Sequence, residues 1–334
     1  MDAVCPKHME FGPCGGVAGD GSCEVGDFRC VFLDAPTVRW HGDVARPPLI
    51  DSAAAMRSAL ASRHVVVADF PARALDAASI EECGAILAGS VDAVLTGDAP
   101  DARVQFPPAY RAALVRGTGL EVWSGFTCRD RNRVAMEGEL AALAHAGVAG
   151  VHCVTGDHTG IGTRSDAMPV FDLDSTRAAA LARAAGHLVS VAESPASPPV
   201  QRRAERLVEK ARAGAEVCFV DHAGGADPVA RFIAEAREAG ADLAFIPCVP
   251  VVVDRGSAAL LATFPAMVLP PGYLDRILAA TDPLSEGVAA AVELAEAFLG
   301  IPGVRGVNLS GGPAAGREVE FAQVLARIGR DLAP

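Results

Sequence analysis

The sequence has no apolar run approaching the roughly 20 residues that a membrane-spanning helix needs. It has no cationic start followed by an apolar segment, so no secretory signal is expected. Positive charge is also scarce, because 29 Lys and Arg stand against 41 Asp and Glu, a formal net charge of −12. Nucleic-acid binding is therefore not expected, although a local basic pocket for an anionic ligand is allowed. We expect a cytoplasmic protein with no nucleic-acid or membrane partner.

Two common motifs are missing as well. No G-x-G-x-x-G follows an early strand, which weakens the case for a dinucleotide-binding open sheet. No cysteines are paired as C-x2-C, and a disulfide framework is not expected in a reducing compartment. Five of the nine cysteines lie in apolar segments and are interpreted as small buried hydrophobic residues: Cys83, Cys128, Cys153, Cys218 and Cys248.

The other four cysteines lie in residues 1–49, a Gly-rich unit with too few large apolar residues for a core of its own. They are spaced C-x8-C-x8-C-x6-C and are Cys5, Cys14, Cys23 and Cys30. Four thiolates suit structural zinc, and a [4Fe–4S] cluster uses the same ligand set. His8 could substitute as a ligand. The alternative is four unligated thiols in a flexible leader.

Residues 50–334 repeat a pattern of strand, turn and helix. The predicted strands are His64–Phe70, Asp92–Thr96, Glu121–Thr127, Gly150–Thr155, His187–Ala192, Glu216–Val220, Asp242–Pro247 and Val304–Leu309. Such continuous apolar strands are typical of a parallel sheet covered on both faces. Eight of these units predict an α/β fold, a (β/α)8 TIM barrel preceded by the small Cys-rich metal-binding module. A doubly wound open sheet is the alternative, and two extra helical segments are expected at Ser257–Phe264 and Tyr273–Gly300.

In a TIM barrel the functional residues lie at the C-terminal ends of the strands. The residues at these ends are Asp69, Asp98, Thr127, Asp157, Glu193, His222 and the segment Asn308–Gly312. A ring of carboxylates with one histidine fits a polar ligand that needs proton transfer. The alternative for each acid is a solvated loop position or a helix cap. Asp157 is favoured because Gly156 and Gly160 allow a ligand to approach closely.

Several segments resemble the flavin-dependent 5,10-methylenetetrahydrofolate reductases over roughly residues 60–330. These are FTCRDRNR (126–133), VTGD (154–157) and VFDLDS (170–175), with DAPDARVQFPP (98–108) and PPGYLDRI (270–277) in the same order. The leader CPKHMEFGPCGGVAGDGSCEV is similar to the cysteine-rich module of the partner subunit of such reductases in acetogenic bacteria. That module is associated with metal, which supports the four-cysteine ligand set.

The resemblance implies hydride transfer from FAD or FMN to methylenetetrahydrofolate, giving 5-methyltetrahydrofolate, after an acid has helped open the five-membered ring. Asp157 matches the acid near the flavin and the folate, and Thr127 and Gly156 match flavin-lining positions. Lys210 matches a lysine that reaches the ribityl-phosphate region; from its position alone it could equally complement a helix dipole. An electron-donating or catalytic partner protein is also implied, with the number of subunits open.

Two positions depart from the family. Alignment through Pro71 puts Ala68 where the family has its proton-donating glutamate, and Asp69 next to it is expected to face the other way unless a bulge re-aims it. The family's folate-contacting glutamine falls on His222, which could replace the acid. We therefore keep three hypotheses: a reductase using Asp69 or His222 as the acid, a flavin-free one-carbon or methyl-transfer enzyme, and a non-catalytic metal-containing subunit.

Overall fold

The computed structural model describes residues 4–97, 103–263 and 267–333. The strands are β1 (Ser22–Cys23), β2 (Gly26–Arg29), β3 (Val65–Asp69), β4 (Ala93–Thr96), β5 (Val122–Thr127), β6 (Gly150–Val154), β7 (Val189–Glu193), β8 (Val217–Val220), β9 (Ala244–Pro250) and β10 (Gly306–Ser310). The helices are α1 (Asp51–Ser62), α2 (Ala77–Leu87), α3 (Pro108–Arg116), α4 (Arg133–Ala146), α5 (Ser175–Ala184), α6 (Arg203–Arg212), α7 (Ala226–Glu238), α8 (Arg255–Leu261), α9 (Tyr273–Ala279), α10 (Pro283–Leu299) and α11 (Glu318–Asp331).

Strands β3 to β10 form a closed parallel barrel in chain order, and β10 pairs with β3 to complete it. Each strand is followed by at least one helix. All eight predicted strands are present, so the predicted TIM barrel is confirmed and the doubly wound open sheet is wrong. Closure places all the strand C-termini around one mouth.

Two apolar clusters hold the barrel together. One lies between the strands and the surrounding helices and contains alternate strand residues such as Val66, Ala68 and Leu309. The other lies inside the barrel, where Val65 and Val67 pack with residues from the starts of the other strands. Helix α1 adds Met56 and Leu60 to this inner cluster and so covers the end of the barrel away from the mouth. Burying each such side chain contributes about 1.5–3 kcal/mol.

The segment between β9 and β10 differs in detail from the prediction. The expected helical segment Tyr273–Gly300 is two helices, α9 and α10. The chain restarts at α10 because the Asp282 side chain accepts a hydrogen bond from the Ser285 N–H and Pro283 occupies the first turn, as predicted for that position. Helix α8 ends at Leu261, and the predicted end at Phe264 lies outside the described residues, as does Asp98.

The leader before α1 folds against the barrel. Met9, Phe11 and Val17 are buried, although the only regular structure described in the leader is the short β1–β2 hairpin. The Asp174 Oδ2 atom accepts hydrogen bonds from the Glu10 N–H at 3.2 Å and the Phe11 N–H at 3.3 Å. The leader thus obtains from the barrel the buried contacts that its own sequence cannot supply. Among the described residues, no helix is long and apolar enough to cross a membrane.

Candidate active site

A cavity of about 700 Å³ opens at the C-terminal mouth of the barrel. Residues from the ends of the barrel strands line it, and Lys7, Cys14 and Glu24 of the leader form part of its wall. This volume is within the range of small-molecule and cofactor pockets. The mouth is also where TIM-barrel sites occur, so this cavity is the candidate active site.

Asp69 is the carboxylate that β3 contributes to the cavity. Its Oδ1 accepts a hydrogen bond from Asn308 Nδ2 at 3.0 Å, and its Oδ2 accepts one from the Gly311 N–H at 3.1 Å. Burial raises the pKa of Asp69, and the hydrogen bonds from Asn308, Gly311 and Ser310 offset only part of that increase. A carboxyl group with a raised pKa can hold a proton and donate it.

The expected orientation of Asp69 was wrong. Ala68 packs in the outer cluster between strand and helices, whereas Asp69 alternates with Val65 and Val67 and therefore faces the inside of the barrel. The pairing of β3 with β4 is regular from Val67 to Asp69, so no bulge is needed. Counting back from Pro71 in the family alignment therefore selects Ala68, which points away from the cavity.

His222 and Asp221 follow β8, and both line the cavity. The Nε2 atom of His222 lies 3.4 Å from Ser310 Oγ, and burial lowers the pKa of His222 to about 4. The imidazole is therefore neutral near pH 7 and can exchange hydrogen bonds with a ligand, but it is a poor proton store. Asp221 accepts a short hydrogen bond from the Ser194 hydroxyl.

Burial raises the pKa of Asp221 to about 6. A carboxyl whose pKa is higher in the folded state stabilises the fold fully below its unfolded pKa and loses that contribution as the pH rises through about 6. As the pH rises from 4 to 7, the free energy of unfolding of the wild type should fall by on the order of 2 kcal/mol relative to that of Asp221→Asn. Urea unfolding across this pH range measures the difference, and a difference independent of pH would contradict the assignment.

Thr127, Gly156 and Asp157 line the cavity at the ends of the neighbouring strands β5 and β6. Gly156 has φ +86°, and a Cβ there would lie 2.1 Å from Thr127 Oγ1, so only glycine fits. Asp157 is half exposed, and its Oδ2 accepts a hydrogen bond from an Arg103 guanidinium nitrogen at 3.1 Å. The predicted ligand-lining positions therefore converge on the cavity, with Asp157 held by an arginine.

Lys210 lies on α6 and lines the cavity, but its ammonium group is hydrogen-bonded to residues of β7. Its Nζ donates to Glu193 Oε2 and to the Ala192 backbone oxygen, both at 2.6 Å. Arg203 donates to the other oxygen of Glu193 at 3.1 Å. Burial alone would raise the pKa of Glu193, but Lys210 and Arg203 together hold that pKa below its usual value. Glu193 is thus the shared anion of a buried three-residue network.

Replacing Glu193 by Gln leaves Lys210 and Arg203 buried without their carboxylate. Removing one partner of a buried ion pair typically costs about 3–5 kcal/mol, so we expect a loss of that size in the free energy of unfolding. The double variant Glu193→Gln/Lys210→Met removes the carboxylate and one of its two cations, so it should recover part of the loss while Arg203 stays unpaired. Chemical denaturation measures both, and a change below about 1 kcal/mol in the single variant would contradict the network's role.

The leader places a buried ion pair in the cavity wall. Lys7 and Glu24 pair closely, and their side chains are only 4% and 7% exposed. Glu24 Oε1 also accepts a hydrogen bond from the His158 N–H at 3.1 Å, which joins the leader to the loop after β6. A Cβ at Gly16 would lie 1.6 Å from Glu24 Oε2, so a larger residue there would push the Glu24 carboxylate out of its present position.

The four leader cysteines influence one another electrostatically, and Cys14 lines the cavity. Burial raises the pKa of Cys5, Cys23 and Cys30, and the charge of Cys14 raises each of them further. Lys7 Nζ lies 3.7 Å from Cys14 Sγ. Across residues 4–97, 103–263 and 267–333, no group of three or more His, Cys, Asp or Glu side chains has the arrangement of a metal site. His8 points elsewhere, with Nδ1 3.3 Å from the Phe171 backbone oxygen.

Sequence reasoning missed three participants. Asp221 could have been found, because it follows a predicted strand at the mouth of the barrel. Lys7 and Glu24 could not have been found by that rule, because they come from the leader and reach the cavity only through its folding over the barrel.

Comparison with known proteins gives a family match for the leader, and structural matches that cover most of the chain. Residues 1–39 match the family model described as "Methylene-tetrahydrofolate reductase C terminal", although here the matching segment lies at the N-terminus. No curated protein sequence matches the chain.

Comparison with solved structures gives matches at low sequence identity. An uncharacterized protein from Clostridium thermocellum that binds two copies of 5-methyl-5,6,7,8-tetrahydrofolic acid has a TM-score of 0.57 at 11% identity, over 83% of this chain and 98% of the other. A 2,3-dimethylmalate lyase has a TM-score of 0.48 at 17% identity, over 78% of each chain. An oxaloacetate acetylhydrolase has a TM-score of 0.47 at 14% identity, over 77% and 80%. The likeness to the Clostridium thermocellum protein shows the barrel fold alone, whereas the match over residues 1–39 confirms the resemblance to methylenetetrahydrofolate reductase proteins.

Proposed function

We propose that the protein is a folate-dependent oxidoreductase that converts 5,10-methylenetetrahydrofolate to 5-methyltetrahydrofolate, with Asp69 as the catalytic acid. The observation that carries this proposal is the cavity-facing carboxyl of Asp69, whose pKa is raised by burial at the strand where the related reductases carry their acid. The match of residues 1–39 and the folate bound by the Clostridium thermocellum barrel support a reduced folate as the substrate.

The reaction begins with a proton transfer that Asp69 is suited to perform. Protonated Asp69 donates to N10 of the folate, the bond from N10 to the methylene carbon breaks, and N5 and that carbon become an iminium ion. A hydride from a two-electron donor supplied from solution then adds to the iminium carbon and gives the methyl group, and the donor is oxidised in the same step. Neutral His222 supplies a hydrogen bond near the reacting atoms without competing as an acid, because burial lowers its pKa to about 4.

The residues present do not fit a flavin phosphate in the way that the resemblance implies. Lys210 is buried with its Nζ bonded to Glu193 and to a backbone oxygen. In the leader, the charge of Lys7 is matched by Glu24. A phosphate at either lysine would have to displace a buried carboxylate, which is costly. We therefore derive no step through a flavin, FAD or FMN.

This disagreement favours a second candidate, a folate-dependent one-carbon or methyl-transfer enzyme that works without flavin. Such an enzyme would use the same acid, because a folate nitrogen that gives up its carbon unit is a better leaving group when protonated. A methyl donor or acceptor would then replace the hydride donor. Substrate binding without a flavin spectrum, together with transfer of a labelled methyl group, would distinguish this candidate.

We further propose that the leader holds a metal through Cys5, Cys14, Cys23 and Cys30. Four thiolates suit zinc or a [4Fe–4S] cluster. The electrostatic influence of the other three thiols on Cys30 indicates that the four lie near one another, although the described residues do not have the arrangement of a metal site. A bound metal would fix the loops that carry Lys7 and Glu24 in the cavity wall. A bound metal is also compatible with the third candidate, a metal-containing subunit that serves a catalytic partner.

One preparation tests these alternatives. Protein purified anaerobically is analysed by visible absorption and for zinc and iron, then assayed with methylenetetrahydrofolate and a reduced electron donor. Formation of 5-methyltetrahydrofolate by the isolated chain supports the proposed reaction and excludes the non-catalytic subunit. Failure to bind any reduced folate removes both enzyme candidates.

A further inference from the structure

Asn308 is a buried polar residue in the middle of the candidate active site. It lies on β10, is 1% exposed and lines the cavity, whereas its neighbours Val307 and Leu309 face the helices. Its Nδ2 donates to Asp69 Oδ1 at 3.0 Å and lies 3.7 Å from Cys248 Sγ. While Asp69 is ionised, its oxygen requires a donor, so in that form the Asp69 contact fixes this end of the amide as nitrogen.

The other end of the amide is unused. Asn308 Oδ1 is buried and accepts no hydrogen bond from any of the described residues. Leaving a buried carbonyl oxygen without a donor is costly, and a ligand in the cavity can supply the missing donor. A ligand with an N–H at this point gains a hydrogen bond, whereas one with a ring-nitrogen lone pair there meets repulsion from the carbonyl oxygen.

Pterins differ at the ring nitrogens in this respect. In folic acid, N5 and N8 carry lone pairs and no hydrogen. In 7,8-dihydrofolate N8 carries a hydrogen, and in tetrahydrofolate both N5 and N8 do. The pyrimidine edge keeps its N–H groups in all three forms, so only a contact to the pyrazine ring can report the redox state.

We infer that Asn308 is a specificity-determining residue that selects a reduced pterin through its N8–H. This inference rests on the proposed function, in which Asp69 protonates the one-carbon end of the folate. Since Asn308 is bonded directly to Asp69, it lies beside the pyrazine ring rather than the distant pyrimidine edge. In 5,10-methylenetetrahydrofolate N5 is substituted, so N8–H is the donor that the pyrazine ring retains for Asn308 Oδ1.

The test compares the binding of folic acid, 7,8-dihydrofolate and tetrahydrofolate under anaerobic conditions, by calorimetry on the full chain. The wild type should bind dihydrofolate and tetrahydrofolate at least about tenfold more tightly than folic acid, the size expected when a buried acceptor is left facing an analogue without the donor. In Asn308→Ala the preference over folic acid should fall to within about threefold. Asn308→Ser should behave similarly, because a hydroxyl can donate as well as accept.

Asn132→Ala is the matched control, because Asn132 caps α4 through the Ala135 N–H and is the only other asparagine in the sequence. Its preference should equal that of the wild type. If the wild type binds folic acid as tightly as dihydrofolate, the assignment of Asn308 is wrong whatever the variants do. Equal preferences in the wild type and Asn308→Ala would also overturn it and leave the folate site intact, whereas a wild type that binds none of the three ligands removes the proposed function itself.

Discussion

Asp69→Asn is expected to lower the turnover of methylenetetrahydrofolate at least about a hundredfold, because general acid catalysis typically contributes a factor of 10²–10⁴. The amide has nearly the same shape, and its single oxygen can keep the hydrogen bond from Asn308 Nδ2 but then loses the one from the Gly311 N–H. It cannot donate a proton to a leaving nitrogen. The dissociation constant for tetrahydrofolate should therefore change much less than the turnover, and the measurement is steady-state kinetics alongside equilibrium binding.

The pH dependence gives this prediction a second, independent readout. Only the protonated form of Asp69 can act as the acid, so wild-type activity should fall as the pH rises through its raised pKa. The residual activity of Asp69→Asn should lack that decrease. Asp282→Asn is the matched control, because Asp282 caps α10 far from the cavity and asparagine caps equally well. Wild-type turnover in Asp69→Asn would show that Asp69 is not the acid and would leave Asp221, whose pKa is raised to about 6, as the acid of the cavity.

The barrel could be read from the sequence because parallel strands covered on both faces leave a strong signal. Runs such as Val65–Asp69 and Gly150–Val154 are apolar almost throughout, and closure of the barrel then fixes where each strand ends. That rule placed Asp69, Asp157 and His222 at one mouth. The expected direction of Asp69 came instead from the family alignment through Pro71 and was wrong. Pro71 lies beyond the end of β3, where strict alternation no longer holds, so counting back from it does not identify the residue that faces the cavity.

The pairing of Lys210 with Glu193 and the position of the leader could not be read in the same way. Both depend on contacts between residues far apart in the sequence, such as the bond from Arg203 to the Cys14 backbone oxygen at 3.2 Å. Nothing in the local pattern of residues 1–49 encodes a backbone oxygen as the partner of a distant arginine. A lysine at the end of a helix is equally compatible with solvent, a helix dipole or a buried carboxylate. Tertiary contacts alone decide among these.

Phe11→Ala is expected to detach the leader from the barrel and weaken folate binding by about tenfold or more. Phe11 is 1% exposed, and its ring lies 5.1 Å from that of Trp40 and beneath the guanidinium of Arg177. Truncating a buried phenylalanine costs about 3–5 kcal/mol. In a leader with no core of its own, that loss should appear as local release rather than unfolding of the barrel. Release would remove Lys7 and Glu24 from the cavity wall.

Phe232→Ala is the control that separates local release from general loss of stability. Phe232 is also buried, at 4% exposure, but it lies on α7 among the core residues outside the barrel. Its truncation should lower the melting temperature while the folded protein keeps its folate affinity and a protected leader. Limited proteolysis of residues 4–49 reports release directly. If Phe11→Ala binds folate like the wild type although the leader is cleaved rapidly, the cavity wall supplied by the leader does not contribute to binding, and the site belongs to the barrel alone.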